Sequence, residues 1–342
     1  MTSIIPSTMQ AMVLEMPGMP LQRRTVKTPV PNADQVLIRV MACGICRTDL
    51  HILDGELKNA RFPLIPGHEI IGIVAARGTN VQTPGIGTIV GVPWLAYTCG
   101  QCRYCQHQRE NLCENALFTG YTVDGGYADY TTAWAKYCFV LPAPYNTAVA
   151  APLLCAGLIG YRSWRMLPDN ATNVGLYGFG AAAHILTQFA SQQGKSIYAF
   201  TKKGDLSTQS FALNLGATWA GGIDQAPPVK MDGAIIFAPE GSLIPLALSH
   251  VDKGGQIICG GIHMSDIPGF PYRLLWEERL VRSVANLTRE DGILFFDTIA
   301  RLNVKTSTQL FTLSAANEAI AMVRSGAIKG AAVLVPGLIG NH

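Results

Sequence analysis

The sequence is short of charge imbalance and long apolar runs, and it shows no internal repeat, low-complexity tract or long linker. Each shortage removes a class of function. Lys and Arg number 26 against 23 Asp and Glu, a formal net charge of +3 over 342 residues. The cations are scattered, so neither a nucleic-acid footprint nor a membrane-surface patch is expected. No apolar stretch is long enough to cross a bilayer. The opening MTSIIPSTMQ has no basic start, apolar centre or small-residue cleavage site of the secretory kind. The expectation is a cytoplasmic protein whose partner is a small molecule.

What is present is 49% apolar residues, 35 glycines and 20 prolines spread along the chain. That composition fits a soluble globular protein with many tight turns, and the length favours two domains. From about 9 to 141, short apolar runs (AMVLEM, VLIRVMA, IIGIVAA, TIVGVPW) alternate with Gly, Pro and Asn, which predicts a strand-rich, partly open barrel. Beyond 150 the runs NVGLYGF, SIYAF, DGAIIFA and GGQIICGG are almost wholly apolar and are separated by helix-periodic segments. Parallel strands buried on both faces, with crossover helices, read this way. After about 287 a helix, strand, helix and strand return to the first domain. The predicted fold class is α/β: a β-rich domain from 1–156 and 287–342, and a doubly wound parallel sheet from 157–286.

Nine cysteines are better suited to metal binding or chemistry than to disulfides in such a protein. In CGQCRYCQHQRENLC, Cys99, Cys102, Cys105 and Cys113 have the spacing C-x2-C-x2-C-x7-C. Four thiolates this close can wrap one ion, and an all-cysteine tetrahedral shell is the usual closed structural zinc site, here in a lobe at about 95–115. The iron–sulfur alternative fits less well, because the ferredoxin run has a last gap of three followed by Pro. A closed shell leaves no room for substrate, so catalysis requires another site. The stretch ACGICRTDLH holds Cys43 and Cys46 and could be a redox dithiol, half of a metal site or ordinary packing.

VGLYGFGAAAHI places Gly178, Gly180 and Ala183 as G-x-G-x-x-A between a predicted strand and a predicted helix. Such a turn lets a pyrophosphate approach the backbone and sit on the helix N-terminus. At the end of the next strand, where a carboxylate would bind a ribose 2′-hydroxyl, stands Thr201, followed by Lys202 and Lys203. A missing carboxylate and two cations favour a 2′-phosphate, hence NADP(H); two solvated lysines would leave NAD(H) in use.

The run GHEIIGIVAARGTNV, the four-cysteine lobe and the glycine turn together resemble the zinc-dependent alcohol dehydrogenases of the medium-chain dehydrogenase/reductase superfamily, over essentially the whole chain. The resemblance implies a GroES-like catalytic domain and a Rossmann domain, with zinc, substrate and nicotinamide meeting in the cleft between them. It implies a catalytic zinc held by Cys46, His68 and Cys155, with Cys43 outside the shell. Asp49 would orient the ligand imidazole, and Glu69 would lie near the metal. Thr48 would take the substrate hydroxyl proton and pass it through the cofactor ribose to His51. Trp94 matches a bulky residue of the substrate pocket, favouring slim or flat substrates. Cys155, where polyol dehydrogenases usually carry Glu, points to the alcohol dehydrogenase branch. Ile159 departs from a family Thr near the nicotinamide. Cys138 and Cys259 are expected as core residues.

The implied reaction is hydride transfer between a small or medium-chain primary alcohol, or its aldehyde, and NADP(H), in a homo-oligomer, tetramer by analogy of length and otherwise dimer. The rival readings are an NAD-dependent enzyme, a catalytically idle zinc and dinucleotide-binding protein, and a thiol redox protein built on Cys43 and Cys46.

Overall fold

The strand Gln35–Ile45 organises the first part of the molecule, and its sequence QVLIRVMACGI explains how. Its β-branched and small residues pack against neighbours on both sides, and nearly all are buried. It pairs antiparallel with Glu69–Arg77, Tyr130–Trp134 and Ala331–Val335. Irregularities between Leu37 and Ile38 and between Val40 and Ala42 bend it, as bulges do in barrel-like sheets. The seven-stranded sheet is completed by Ile89–Val92, Phe139–Val140 and Thr308–Thr312. Val36, Ile38, Ile70 and Val74 are fully buried within it, and each such side chain contributes about 1.5–3 kcal/mol by leaving water.

The computed structural model describes residues 4–328 and 330–337. Contacts divide the chain into one unit of Met1–Cys155, Thr288–Ala300 and Thr306–His342, and a second of Ala156–Leu287 with Arg301–Lys305. The sequence reading assigned 301–305 to the first unit. In the structure this short segment joins the second, because the Lys305 carbonyl pairs with His184 Nε2 at 3.1 Å and accepts from Gln188 at 2.8 Å.

The second unit is a six-stranded parallel sheet in the order Trp219–Gly222, Ser196–Thr201, Asn173–Tyr177, Met231–Ile236, Val251–Cys259, Leu280–Ser283. By chain order this is 3-2-1-4-5-6, the doubly wound arrangement, reversing between the first and fourth strands. Consecutive residues such as Ile235 and Ile236, or Ile257 and Ile258, are all fully buried. That pattern follows from helices covering both faces of the sheet. The GroES-like and Rossmann expectation for fold class therefore matches the architecture. Among the described residues, no helix is long and apolar enough to cross a membrane.

Candidate active site

Two neighbouring strands bring the first cluster together. Register pairs Gly44 with Glu69, so Cys46, two residues beyond Gly44, lies beside His68 and Glu69. The backbone turns from strand into the helix Arg47–Leu53 with Cys46 as its N-cap. The Cys46 sulfur accepts from the Thr48 N–H at 3.3 Å, and Asp49 Oδ2 accepts from the Cys46 N–H at 2.8 Å. This reciprocal capping box fixes the direction of the sulfur. Cys155 closes the 3-10 segment Ala148–Leu154, which packs on both strands.

Cys46 Sγ lies 3.2 Å from His68 Nε2 and 3.8 Å from Cys155 Sγ. Ligand atoms of Cys46, His68, Glu69 and Cys155 all lie within 4.8 Å of one another. Two thiolates each about 2.3 Å from a tetrahedral zinc would stand about 3.8 Å apart, so the sulfur spacing fits that ion. The other His68 nitrogen, Nδ1, faces Asp49 Oδ1 at 3.3 Å, and both side chains are fully buried. Such a carboxylate behind the imidazole leaves Nε2 for a metal.

The electrostatics of the cluster point the same way. Cys46 is pulled well below the ordinary thiol range by its hydrogen bond with Cys155, and the nearby imidazole adds to this. Cys155 is pushed well up by the same bond and by burial. Burial alone would lower His68, but the charges of Asp49 and Cys46 raise it well above its usual value. Burial raises Asp49, and burial together with the Cys46 charge raises Glu69 well above the carboxylate range. Glu69 Oε2 is buried with no hydrogen-bond partner among the described residues. Crowded acidic donors with an orphaned carboxylate oxygen form a site whose charge a divalent cation would balance.

The remaining implied residues are distributed around this cluster. Thr48 follows on the same helix, and His51 Nδ1 lies 2.5 Å from Glu56 Oε2. Trp94 meets His68 edge-on, centroids 5.0 Å apart, and stacks on Phe118 and Tyr121 at 5.3 and 5.5 Å. Sequence reasoning found Trp94 but missed its two aromatic neighbours, which lie in the separate stretch LFTGY. It also left Glu69 merely near the metal, whereas its carboxylate belongs to the cluster; the signal was Gly44, the small residue opposite it. Cys43 sits in the barrel core, its thiol pushed well up by burial. Burial also pushes Cys138 up to about 12 and raises Cys259. Ile159 is half-buried on the helix Ala156–Arg165.

Cys99, Cys102, Cys105 and Cys113 form the second cluster, again with ligand atoms within 4.8 Å of one another. The Cys102 N–H donates to Cys99 Sγ and the Cys99 N–H to Cys113 Sγ, each at 3.4 Å. Backbone donors from Gln101 and Cys102 lower Cys99 to about 6, and such N–H groups favour thiolates. The donor set is the closed four-sulfur kind.

In the second unit, Gly178 has φ +87°, and a side chain there would strike Ala238. Gly180 caps the helix Ala181–Ser191 with open space beside it, and Ala183, in the first turn of that helix, is fully buried. Thr201 is also buried, and its hydroxyl is engaged with the carbonyls of Lys202 and Gly221 and with the Gln209 amide. Lys202 and Lys203 are exposed, and Lys203 pairs with Asp224 at 3.4 Å.

A family model described as the alcohol dehydrogenase GroES-like domain matches residues 32–143. The chain is 42% identical to the "Probable alcohol dehydrogenase AdhA" of Mycobacterium tuberculosis, over 96% of this chain and 98% of that protein. Among solved structures it is similar to an acetophenone reductase from Geotrichum candidum in complex with NAD, with TM-score 0.85, 27% identity and coverage of 97% and 98%. It is likewise similar to a cobalt- and zinc-bound thermostable alcohol dehydrogenase from Pyrobaculum aerophilum, with TM-score 0.84, 25% identity and coverage of 96% and 100%.

Proposed function

The chain belongs to the zinc-dependent alcohol dehydrogenases of the medium-chain dehydrogenase/reductase superfamily, and from that premise we propose that it interconverts small or medium-chain primary alcohols and their aldehydes with NADP(H). The observation that carries the reading is the buried meeting of Cys46, His68 and Cys155, with Glu69 beside them. Zinc held by these residues would supply Lewis-acid polarisation of the substrate oxygen, and the nicotinamide would donate or accept the hydride. Asp49 fixes the tautomer and direction of His68. Thr48 accepts the substrate hydroxyl proton, and His51 exchanges it with solvent. Trp94, backed by Phe118 and Tyr121, is a flat wall that favours slim substrates. A second zinc on Cys99, Cys102, Cys105 and Cys113 holds its lobe in shape.

The preference for NADP(H) rests on the missing carboxylate at Thr201 and the exposed Lys202 and Lys203. The Lys203–Asp224 pair is solvent-exposed and holds that lysine only weakly. The engaged Thr201 hydroxyl leaves Lys202 and Lys203 as the candidates for a 2′-phosphate contact. Homo-oligomerisation is supported by Leu280–Ser283 lying at the edge of its sheet among the described residues and by the exposed Tyr272 and Trp276.

The test is turnover of an alcohol panel with NADP and NAD before and after chelation. Loss of turnover on chelation, and recovery on adding zinc, is expected; chelator-insensitive turnover would refute the zinc chemistry. Binding of zinc and cofactor without turnover of any alcohol or aldehyde would favour the idle binding protein.

A further inference from the structure

The strand Thr8–Val13 reads TMQAMV, and its period of two puts Met9, Ala11 and Val13 on one face. It pairs antiparallel with Gln22–Lys27, Met9 opposite Val26 and Thr8 opposite Lys27. Two fastenings hold this two-stranded sheet to the rest of the first unit. Leu14 and Leu64 exchange backbone hydrogen bonds at 2.8 and 3.0 Å, and the Asp129 N–H donates to the Gln10 carbonyl at 3.0 Å. Between the sheet, the segment 63–65 and the strand Tyr130–Trp134 lies a cavity of about 230 Å³. It shares no residue with either metal-ligand cluster.

Met9, Val13, Leu64, Ile65 and Tyr130 line the cavity and are themselves buried, so its depth is apolar. Its edge is charged, for Lys27 and Asp124 also line it and both are exposed. Asp124 Oδ1 accepts from the Ile65 N–H at 3.0 Å, which holds the carboxylate at the edge and leaves Oδ2 unbonded among the described residues. Neither Lys27 nor Asp124 has an ion-pair partner among the described residues. Pockets of this make-up take an apolar group into the depth and orient it by a few polar contacts. A cavity of about 150 Å³ holds benzene, so this larger one has room for a branched or aromatic side chain with its head group. The charges then decide what that head is. A plain carboxylic acid would meet Asp124 as a like charge, and a plain amine would meet Lys27 as one, whereas a head carrying both charges satisfies both residues.

We propose that this cavity binds an apolar α-amino acid, its side chain among Met9, Val13 and Leu64, its ammonium on Asp124 Oδ2 and its carboxylate on Lys27 Nζ. The inference goes beyond the alcohol chemistry proposed above and does not depend on it.

The test is calorimetric binding to the zinc-loaded full chain, without cofactor or alcohol, of L-leucine, of 3-methylbutylamine, which lacks the carboxylate, and of 4-methylpentanoate, which lacks the amine. Leucine is expected to bind once per chain and at least about fivefold more tightly than either analogue, the scale of one charge-assisted contact at a partly exposed edge. Lys27→Met removes the partner of the carboxylate, so leucine and 3-methylbutylamine should then bind within about twofold of each other. Asp124→Asn keeps an acceptor for the Ile65 N–H and removes the charge, so leucine and 4-methylpentanoate should converge instead. Each variant reads one head contact alone, so the failure of one to fold leaves the other as the test. Absence of leucine binding up to about 10 mM, or an analogue that matches leucine in wild type, would overturn the proposal. So would a wild-type pattern of preferences kept in the folded variants, the result expected if leucine bound zinc at the catalytic cluster.

Discussion

Gly44 shows how finely single residues set the candidate site. A methyl group there would fall 1.8 Å from Glu69 Oε2 and 2.8 Å from the carboxyl carbon. The carboxylate can swing aside, so the fold survives while the cluster is disturbed. Gly44→Ala should therefore unfold within a few degrees of wild type by calorimetry, yet lose at least about tenfold in turnover, the scale of a sub-ångström to ångström misplacement. Asp49→Asn keeps the size of the side chain but weakens its hold on His68. Zinc affinity at the catalytic cluster should fall about 10–100-fold in a chelator competition, with the four-cysteine site unaffected. The residue-level reading of the sequence named Cys99, Cys102, Cys105 and Cys113 from their spacing, and Cys46, His68 and Cys155 from the family resemblance. It did not reach the place of Glu69 in the cluster or the partners of Trp94, because both depend on strand register and on the packing of distant segments.

At the scale of elements, the four-cysteine lobe is tied to the helix Arg289–Ile299 by Arg289. Its guanidinium donates to both Glu110 carboxylate oxygens at 2.8–2.9 Å and lies over the Tyr137 ring at 5.3 Å. Burial works to raise the Glu110 carboxyl, but the side-chain and backbone donors of Arg289 outweigh it, and the net shift is downward. A depressed carboxylate adds stability above its unfolded pKa and loses it as pH falls through its folded pKa. Arg289→Met should therefore cost about 1 kcal/mol at pH 7, a modest figure because the arginine is partly exposed. In denaturant titrations the gap between the two proteins should close as the pH drops below about 4. Buried strands such as Ser196–Thr201 were legible from their apolar runs. Trp219–Gly222 and Leu280–Ser283 were not, being four-residue edge strands whose composition, WAGG and LVRS, carries no strong strand signal. The 3-10 segment Ala148–Leu154 also escaped, since its Pro152 reads as a break.

At the scale of the whole molecule, the described residues contain two fold units and two clusters that could hold a metal ion, and the fold class was visible beforehand. The change of texture near residue 150 marks the passage from antiparallel to parallel sheet, a consequence of how many faces each strand buries. The return of Arg301–Lys305 to the second unit was not visible, because it depends on backbone carbonyls meeting His184 and Gln188 rather than on any pattern of side chains. The central claim is that Cys46, His68 and Cys155 hold the zinc on which alcohol oxidation depends. Metal analysis of purified wild type and Cys155→Ala, paired with turnover of a primary alcohol, tests it most directly. The account predicts two zinc ions per chain in wild type, one in a folded variant, and loss of turnover with the missing ion. A folded Cys155→Ala protein that keeps both ions, or that turns over alcohol at the wild-type rate with one, would contradict it.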